Sequence, residues 1–309
     1  MANIRENNKK STPYLDTLAQ LAPKARAKYL TNALVYRLVD QNSPLRKSYW
    51  NTYHCASVYK QTGKTLTTTY CNNRWCLICN RIRIAKMILG YLPVIKKFVD
   101  AHAMVLTIPN VPADQLKDTI DDMIKTFRNI VHSWNTHHKE NKMIGIRKIE
   151  CTYNEITDTY HPHFHIIVDG WQAANTLRKQ WLERYKKASI NAQWIKQADI
   201  NSLIELFKYF TKILVKSKKT GLQDFFAPQM DIIFQAMRKR RVYQPFGGIR
   251  MINEDIETES QEYAELANED KVWTWMEHDW VDENTGETLT GYEPSDNFKE
   301  LVDRISQKK

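Results

Sequence analysis

Three histidines alternate with a proline and a phenylalanine at 161–165, and the run continues directly into Ile166-Ile167-Val168. A period of two is the period of a β-strand, in which successive side chains point to opposite faces. His163 and His165 therefore share one face, while Phe164 turns to the other and into a core. Two imidazoles at that separation can share a divalent cation, provided a third ligand completes the set. Glu150 is the natural third, because it sits on the preceding predicted strand, 144–153, which the polar connection NEITDT joins to the strand at 161–168. Its neighbour Cys151 then faces away as a buried, inert thiol. A lone strand histidine is more often a satisfied core residue, but three alternating ones ahead of an aliphatic run favour the ligand reading.

Around this pair of strands the pattern is mixed. Leucines and alanines at spacings of three and four predict a helix over 15–39, and RIRIAKMILGYLPVIKKFVD predicts a basic amphipathic helix over 81–100. The apolar run 102–108, ended by Pro109, reads as a strand. Leu116, Ile120, Met123, Ile124, Phe127, Ile130, Val131 and Trp134 recur with a period near 3.6 and predict a long amphipathic helix. A helix over 171–187, a short strand over 193–199 and a helix over 202–216 follow. The stretch 270–292 resembles a hairpin around Asn284-Thr285-Gly286. Strands and helices do not alternate strictly, so the class expected is α+β, an antiparallel sheet flanked by helices.

The five cysteines are Cys55, Cys71, Cys76, Cys79 and Cys151. The spacing Cys71-x4-Cys76-x2-Cys79 suits a tetrahedral structural zinc, with the segment 56–70 closed as a knuckle. Cys55 would be the fourth ligand, and the adjacent His54 is an alternative to it. No export signal opens the sequence, so the cluster is expected to be a metal site in a reducing bacterial cytoplasm rather than disulfides. No segment approaches the ~20 apolar residues that span a bilayer.

The net charge of +10 conceals a division. Residues 251–309 carry 17 acidic and 5 basic side chains, so the first 250 residues hold a net charge of +22. A basic body suits a polyanionic partner, since each Lys or Arg placed on a phosphate releases counterions. The densest patches are Arg81, Arg83 and Lys86 after the cysteines, Arg147 and Lys148 beside Glu150, and Arg238, Lys239, Arg240 and Arg241. Trp171, Trp181 and Trp194 could stack on bases, although such residues are more often core.

In ELFKYFTK, Glu205, Lys208, Tyr209 and Lys212 fall at i, i+3, i+4 and i+7, on one face of the predicted helix, opposite Leu203, Leu206, Phe207, Phe210, Ile213 and Leu214. A tyrosine between two lysines is a plausible nucleophile, because their charge favours a phenolate whose ordinary pKa is ~10. On these residues alone, a solvated helix face is the better reading.

The motifs occur in a familiar order. The sequence resembles the rolling-circle replication initiators of small bacterial plasmids, a branch of the HUH endonucleases. CNNRWCLICNRIRIAK is similar to the family's cysteine motif, with Leu77 where a proline is usual; VLTIPN at 105–110, HPHFHIIV and ELFKYFTK are similar to its strand, histidine and tyrosine motifs. Together they span about 55–216. The resemblance implies an HUH-type antiparallel sheet with a zinc-binding helical portion at 1–100 and a nicking and strand-transfer domain at 101–250; the acidic tail at 251–309, read from its charge, matches nothing in the family. It implies that His163, His165 and Glu150 bind Mg²⁺ or Mn²⁺, with His161 outside the ligand set, and that Tyr209 is the nucleophile. Glu205 would activate the second attacker, and Lys212 would partner the phosphate or phenolate. Tyr209 would cut one strand of origin DNA, single-stranded or hairpin, leaving a 5′-phosphotyrosine link and a free 3′-hydroxyl. A host helicase and polymerase would use these ends. Lys208 and the basic residues Arg81, Arg83, Arg147, Lys148, Arg238, Arg240 and Arg241 are expected DNA contacts. Two other readings stand beside this one: a single-tyrosine HUH transposase or relaxase, and a non-catalytic zinc-containing DNA-binding regulator.

Overall fold

A computed structural model describes residues 18–208, 211–256 and 258–307, without the side chain of Ile200. The chain opens with α1 (Ala22–Val39), α2 (Arg46–Tyr53), β1 (Val58–Thr62), β2 (Thr65–Thr68) and α3 (Leu77–Ile95). A run of β3 (Ala101–Thr107), α4 (Ala113–His137), β4 (Gly145–Asn154), β5 (Thr159–Asp169) and α5 (Trp171–Arg184) follows. Then come β6 (Ile195–Gln197), α6 (Ile200–Leu206), β7 (Val215–Lys216), β8 (Gln223–Asp224), α7 (Ala227–Met237) and β9 (Tyr243–Phe246). The last elements are β10 (Glu259–Glu262), β11 (Lys271–Met276), β12 (Asp279–Asp282) and α8 (Asp296–Ser306). Helices and antiparallel strands thus make a mixed α+β fold.

One five-stranded sheet runs in the order β6-β3-β5-β4-β9, with every neighbouring pair antiparallel. Its two faces follow from alternation along the strands. Ile149, Phe164, Ile166 and Leu106 lie in a core with α4 and α5, where Phe127 and Trp181 pack edge-on against Phe164. Helix α4 buries Leu116, Ile120, Met123, Phe127, Ile130 and Val131, which are the residues its 3.6 periodicity singles out. The opposite face carries Glu150, His163 and His165.

A second five-stranded sheet has the order β10-β2-β1-β11-β12. It changes two expectations. The segment 56–70 is a β-hairpin, β1 and β2 closed through Gly63 at φ 58°, rather than an irregular knuckle. Residues after 251 are also not a free acidic tail, since β10 pairs with β2 and β11 pairs with β1. Their mean charge hid the apolar residues that fold them. Trp273, Trp280 and Leu289 are buried, and Phe298, Val302 and Ile305 recur at i, i+4 and i+7 along α8, which packs on α1. Several acids of this segment have structural partners. Asp279 Oδ2 accepts from the Thr290 and Tyr292 amides, and Asp282 Oδ1 accepts from the Asn284 amide. The chain reverses twice here: β11 and β12 meet at Glu277-His278, with Glu277 at φ 49°, and a second turn at 283–287 is closed by the bridge Val281↔Thr288.

The helix expected over 202–216 is much shorter. Asp199 and Ser202 form a capping box that starts α6, yet the helix stops at Leu206. The Tyr243 hydroxyl donates to the carbonyls of Phe207 and Lys208, at 3.2 and 3.0 Å, which a continuing helix would have engaged itself. Leu206, Phe207 and Ile213 are buried all the same, so their apolar spacing reports burial rather than helix. Tyr209 and Phe210 lie outside the described residues. Among the described residues, no helix is long and apolar enough to cross a membrane.

Trp280 is fully buried, packs edge-on against Tyr59 and Trp275, and donates from Nε1 to the Ala56 carbonyl at 2.7 Å. Trp280→Ala should therefore lower unfolding stability by about 3–5 kcal/mol, read from urea denaturation. A cost below about 1 kcal/mol would mean that the C-terminal strands do not fold against the cysteine-bearing segment.

Candidate metal and nucleic-acid site

The register of β4 against β5 sets Glu150 opposite His163 and Lys148 opposite His165. Paired residues share a face, so all four side chains converge. His163 Nε2 lies 4.0 Å from Glu150 Oε1, and His165 Nε2 lies 3.3 Å from Glu150 Oε2. Ligand atoms from the three residues all lie within 4.8 Å of one another. Metal bonds of about 2.0–2.2 Å put two ligands of one ion roughly 3–4 Å apart, so the set fits a divalent cation.

The surroundings orient these donors. His163 Nδ1 is 3.0 Å from the His161 carbonyl, an acceptor that puts the proton on Nδ1 and leaves the Nε2 lone pair toward Glu150. Burial pushes the His163 imidazolium down to about 4, which favours the neutral, ligating form. For Glu150, burial alone would favour the protonated acid. The hydrogen bond with His165 and the charge of Lys148 outweigh it and hold the carboxyl well below the usual range. Lys148 is fully buried and its ammonium donates to Glu150 Oε2 at 2.9 Å. His161 points elsewhere, hydrogen-bonded to Thr107 Oγ1, and is not one of the three.

A cleft of about 520 Å³ opens beside this cluster, lined by Glu150, Glu205, Lys208, Thr211, Lys212, Ile213 and Leu214. Leu30 of α1 and Leu77 of α3 complete its wall. Glu205 and Lys208 form an exposed ion pair at i, i+3. Lys208 and Lys212 reach the same cleft from beyond the end of α6, so the charged residues come together by tertiary folding and not by a single helix face.

The four cysteines Cys55, Cys71, Cys76 and Cys79 also converge, with Sγ atoms 3.5 Å (Cys55–Cys79) and 3.6 Å (Cys71–Cys79) apart. A tetrahedral ion with bonds of about 2.3 Å would set its sulfurs roughly 3.8 Å apart. Cys76 caps α3, its sulfur accepting from the Cys79 amide at 3.5 Å, and the Cys71 amide points at Cys55 Sγ at 3.4 Å. Cys55, not His54, is the fourth member. One contributor escaped the sequence reading: Lys28, fully buried, donates to the carbonyls of Tyr53 and Cys55 at 3.0 and 2.8 Å. Burial pushes its ammonium down to about 8, while negative charge on the Cys55, Cys76 and Cys71 sulfurs pulls it back up. A lysine in a helix rich in lysine and arginine gives no sequence signal of this.

A family model described as Replication protein matches residues 62–285. The chain belongs to this family of replication proteins. That agrees with the resemblance to rolling-circle plasmid initiators. Proteins named Protein rep are among its relatives. The one from Staphylococcus aureus is 26% identical over 167 residues, covering 46% of this chain and 69% of that protein. The one from Streptococcus pneumoniae serotype 2 is 23% identical over 163 residues, covering 48% and 50%, and one from Bacillus sp. is 26% identical over 140 residues, covering 41% and 45%. The chain thus spans about half the length of the latter two relatives. No solved structure matches.

The basic residues of this replication protein divide by burial. Arg81, Arg238 and Arg241 are exposed, as is Lys208, which is paired with Glu205. Arg240 is engaged by Asp121 across the α4–α7 junction. Arg83, Arg147 and Lys148 are buried and unavailable to a phosphate backbone, a correction to the charge-based expectation. Arg147 stacks its guanidinium on Phe164 and Phe127, 4.5 and 5.6 Å from their centroids. Arg83 donates to the Asn72 carbonyl and Oδ1, Asn80 Oδ1 and the Glu254 carbonyl, tying the cysteine loop to the segment after β9. Trp181 is core, its Nε1 bonded to the Thr107 carbonyl at 2.9 Å, whereas Trp171 and Trp194 are exposed.

Arg83→Ala removes a buried cation and strands its acceptors, which should cost about 2–4 kcal/mol of stability. Denaturation and DNA affinity measured on the same preparation should show a large stability loss with little change in affinity for the folded fraction. The reverse result would return Arg83 to the DNA-contact set.

Proposed function

We propose that this replication protein nicks one strand of its origin DNA through Tyr209 in a site of HUH type, with a divalent cation, Mg²⁺ or Mn²⁺, held by His163, His165 and Glu150. The convergence of those three donors on one sheet face, in a member of a replication-protein family, carries the reading. When bound, the cation would withdraw charge from a non-bridging phosphate oxygen and fix the phosphate for in-line attack. The protein's own groups do the rest. Lys208 and Lys212 line the cleft, favour the Tyr209 phenolate and receive the phosphate. The phenolate oxygen bonds to phosphorus as the P–O3′ bond breaks, and the departing 3′-oxygen takes a proton from water. A 5′-phosphotyrosine and a free 3′-hydroxyl result, with no nucleotide cofactor. Glu205, which lines the same cleft, would deprotonate the second attacker, a 3′-hydroxyl or water, that ends the cycle. Host helicase and polymerase are the partners these ends require. The exposed Arg81, Arg238 and Arg241 supply phosphate contacts. The cysteine cluster is read as a structural zinc site, since four protein ligands leave no open position.

With Mn²⁺, the protein should form a covalent adduct on the 5′ side of a nick in single-stranded or hairpin origin DNA. Tyr209→Phe should abolish that adduct while leaving binding unchanged. His163→Ala and His165→Ala should each remove nicking and weaken Mn²⁺ binding. An adduct that survives in Tyr209→Phe, or full nicking in EDTA, would contradict the mechanism.

Elemental analysis should find about one zinc per chain. Cys76→Ser should lose it and melt at lower temperature, while the Mn²⁺ affinity of protein kept folded at low temperature stays unchanged. Zinc-free protein of normal stability would count against a structural role.

A further inference from the structure

A second cavity, of about 360 Å³, borders the metal-ligand cluster on the side away from β4, and its lining is mostly apolar. Its position follows from strand pairing. The Val105 amide donates to the Trp194 carbonyl at 3.1 Å, and Val105 pairs with His165. Trp194, Val105 and His165 therefore form one cross-strand row on one face, with Trp194 two strand spacings, about 10 Å, from His165. In the next row Ala103 lies between Lys196 and Ile167, and its single methyl leaves the depth that a larger side chain would fill. Ser202, Glu205 and Leu206 of α6 roof the space. Glu205 lines both this cavity and the cleft beside Glu150, so the two adjoin at that residue.

Trp194 is the anomaly. Ala103, Ile167 and Leu206 around it are buried, yet the indole is 43% exposed. A large aromatic left open at the mouth of an apolar slot beside a phosphate-handling site marks a place for a ligand. Lys196 Nζ stands 5.9 Å from the indole centroid, where it would meet the phosphate next to a stacked ring. We infer that this cavity is a nucleobase slot: one unpaired base flanking the scissile phosphate leaves the strand and stacks on Trp194, with Lys196 on its backbone. The slot rests on the proposed nicking function for the identity of the strand. It requires unstacked DNA, because a base held in a duplex cannot enter it. It also fixes the phosphate by holding the neighbouring nucleotide, so cut-site choice is read on both sides of the metal ligands.

The test uses Tyr209→Phe protein without divalent cation, so that no cleavage intervenes. The probe is a short single-stranded oligodeoxythymidylate carrying one 5-iododeoxyuridine. Irradiation should crosslink it to the peptide containing Trp194. By fluorescence anisotropy, Trp194→Ala should weaken probe binding about 5- to 150-fold, the effect of losing one stacked base. Trp194→Phe should stay within a few-fold of the parent, and melting curves should be unchanged because the residue is half exposed. Crosslinks that map only elsewhere, failure of the probe to bind, or Trp194→Ala binding as tightly as the parent would each overturn the slot. The nicking reading fails independently. A protein that crosslinks through Trp194 but forms no adduct, when tested with Tyr209 intact, keeps the slot and loses the nickase. A protein that forms the adduct but is indifferent to Trp194 does the reverse.

Discussion

The register between β4 and β5 is the constraint on which the candidate site depends. Glu150 faces His163 only because the strands pair as they do, and a slip of β4 by one residue would turn Glu150 to the face opposite the two histidines. Several contacts hold that register. Phe164 and Ile149 are a cross-strand pair in the core, so a slip of β4 would take Ile149 out of it. Glu155, in the connection between the strands, bonds Ser217 Oγ and the Lys218 amide at 2.7 and 2.6 Å and anchors the turn. At the other end Gly145 leaves no room for a β-carbon, which would fall 2.4 Å from the Ile167 carbonyl and 2.6 Å from the Phe246 ring. The ligand set is thus fixed by packing several residues away from it.

The cysteine-bearing segment is coupled to this sheet through specific residues. Cys76 caps α3, and the next residue, Leu77, reaches the wall of the cleft that holds Glu150. The first helical position is where proline fits best, because its missing amide costs nothing there. Leucine keeps the helix start and adds an apolar wall, which accounts for the departure from the resembled motif. Tyr49 of α2 donates to Asp231 of α7 in a buried hydrogen bond, and burial together with that carboxylate holds the phenol well above its ordinary range. The cysteine cluster is therefore tied to the cleft wall through α3, while the Tyr49–Asp231 bond ties α2 to α7.

Sequence alone exposed the features with short periods and few rivals. The alternation at 161–168, the helix of α4 and the four-cysteine spacing each reflect one local rule. What it hid depends on partners remote in the chain. The acids after 251 average to a repelling tail, but the buried Trp273 and Trp280 answer to β1, more than 200 residues earlier. The apolar period through 203–214 reads as helix, yet Tyr243 takes the carbonyls that would have continued it. Charge misled in the same way. Arg147 and Lys148 look like a DNA patch, while a strand buried on both faces turns one onto Phe164 and the other onto Glu150.

Glu205 occupies the boundary between the two cavities, and that position bears on how one site could serve two successive attacks. With α6 ending at Leu206, Glu205 stands in the last turn, paired with Lys208 and more than half exposed. It is not clamped as Glu150 is, and a carboxylate that remains solvated can take a proton from an incoming hydroxyl without first being released from a buried partner. Glu150 is the opposite case. Lys148, His163 and His165 keep it ionised and immobile, which suits holding an ion and does not suit shuttling protons. Under the nicking reading, environment would separate the two glutamates in role. A base held on Trp194 would lie against Glu205 from one side while Lys208 and Lys212 approach from the other. Under the nicking reading, the carboxylate would then sense whether a strand is seated before it acts as a base.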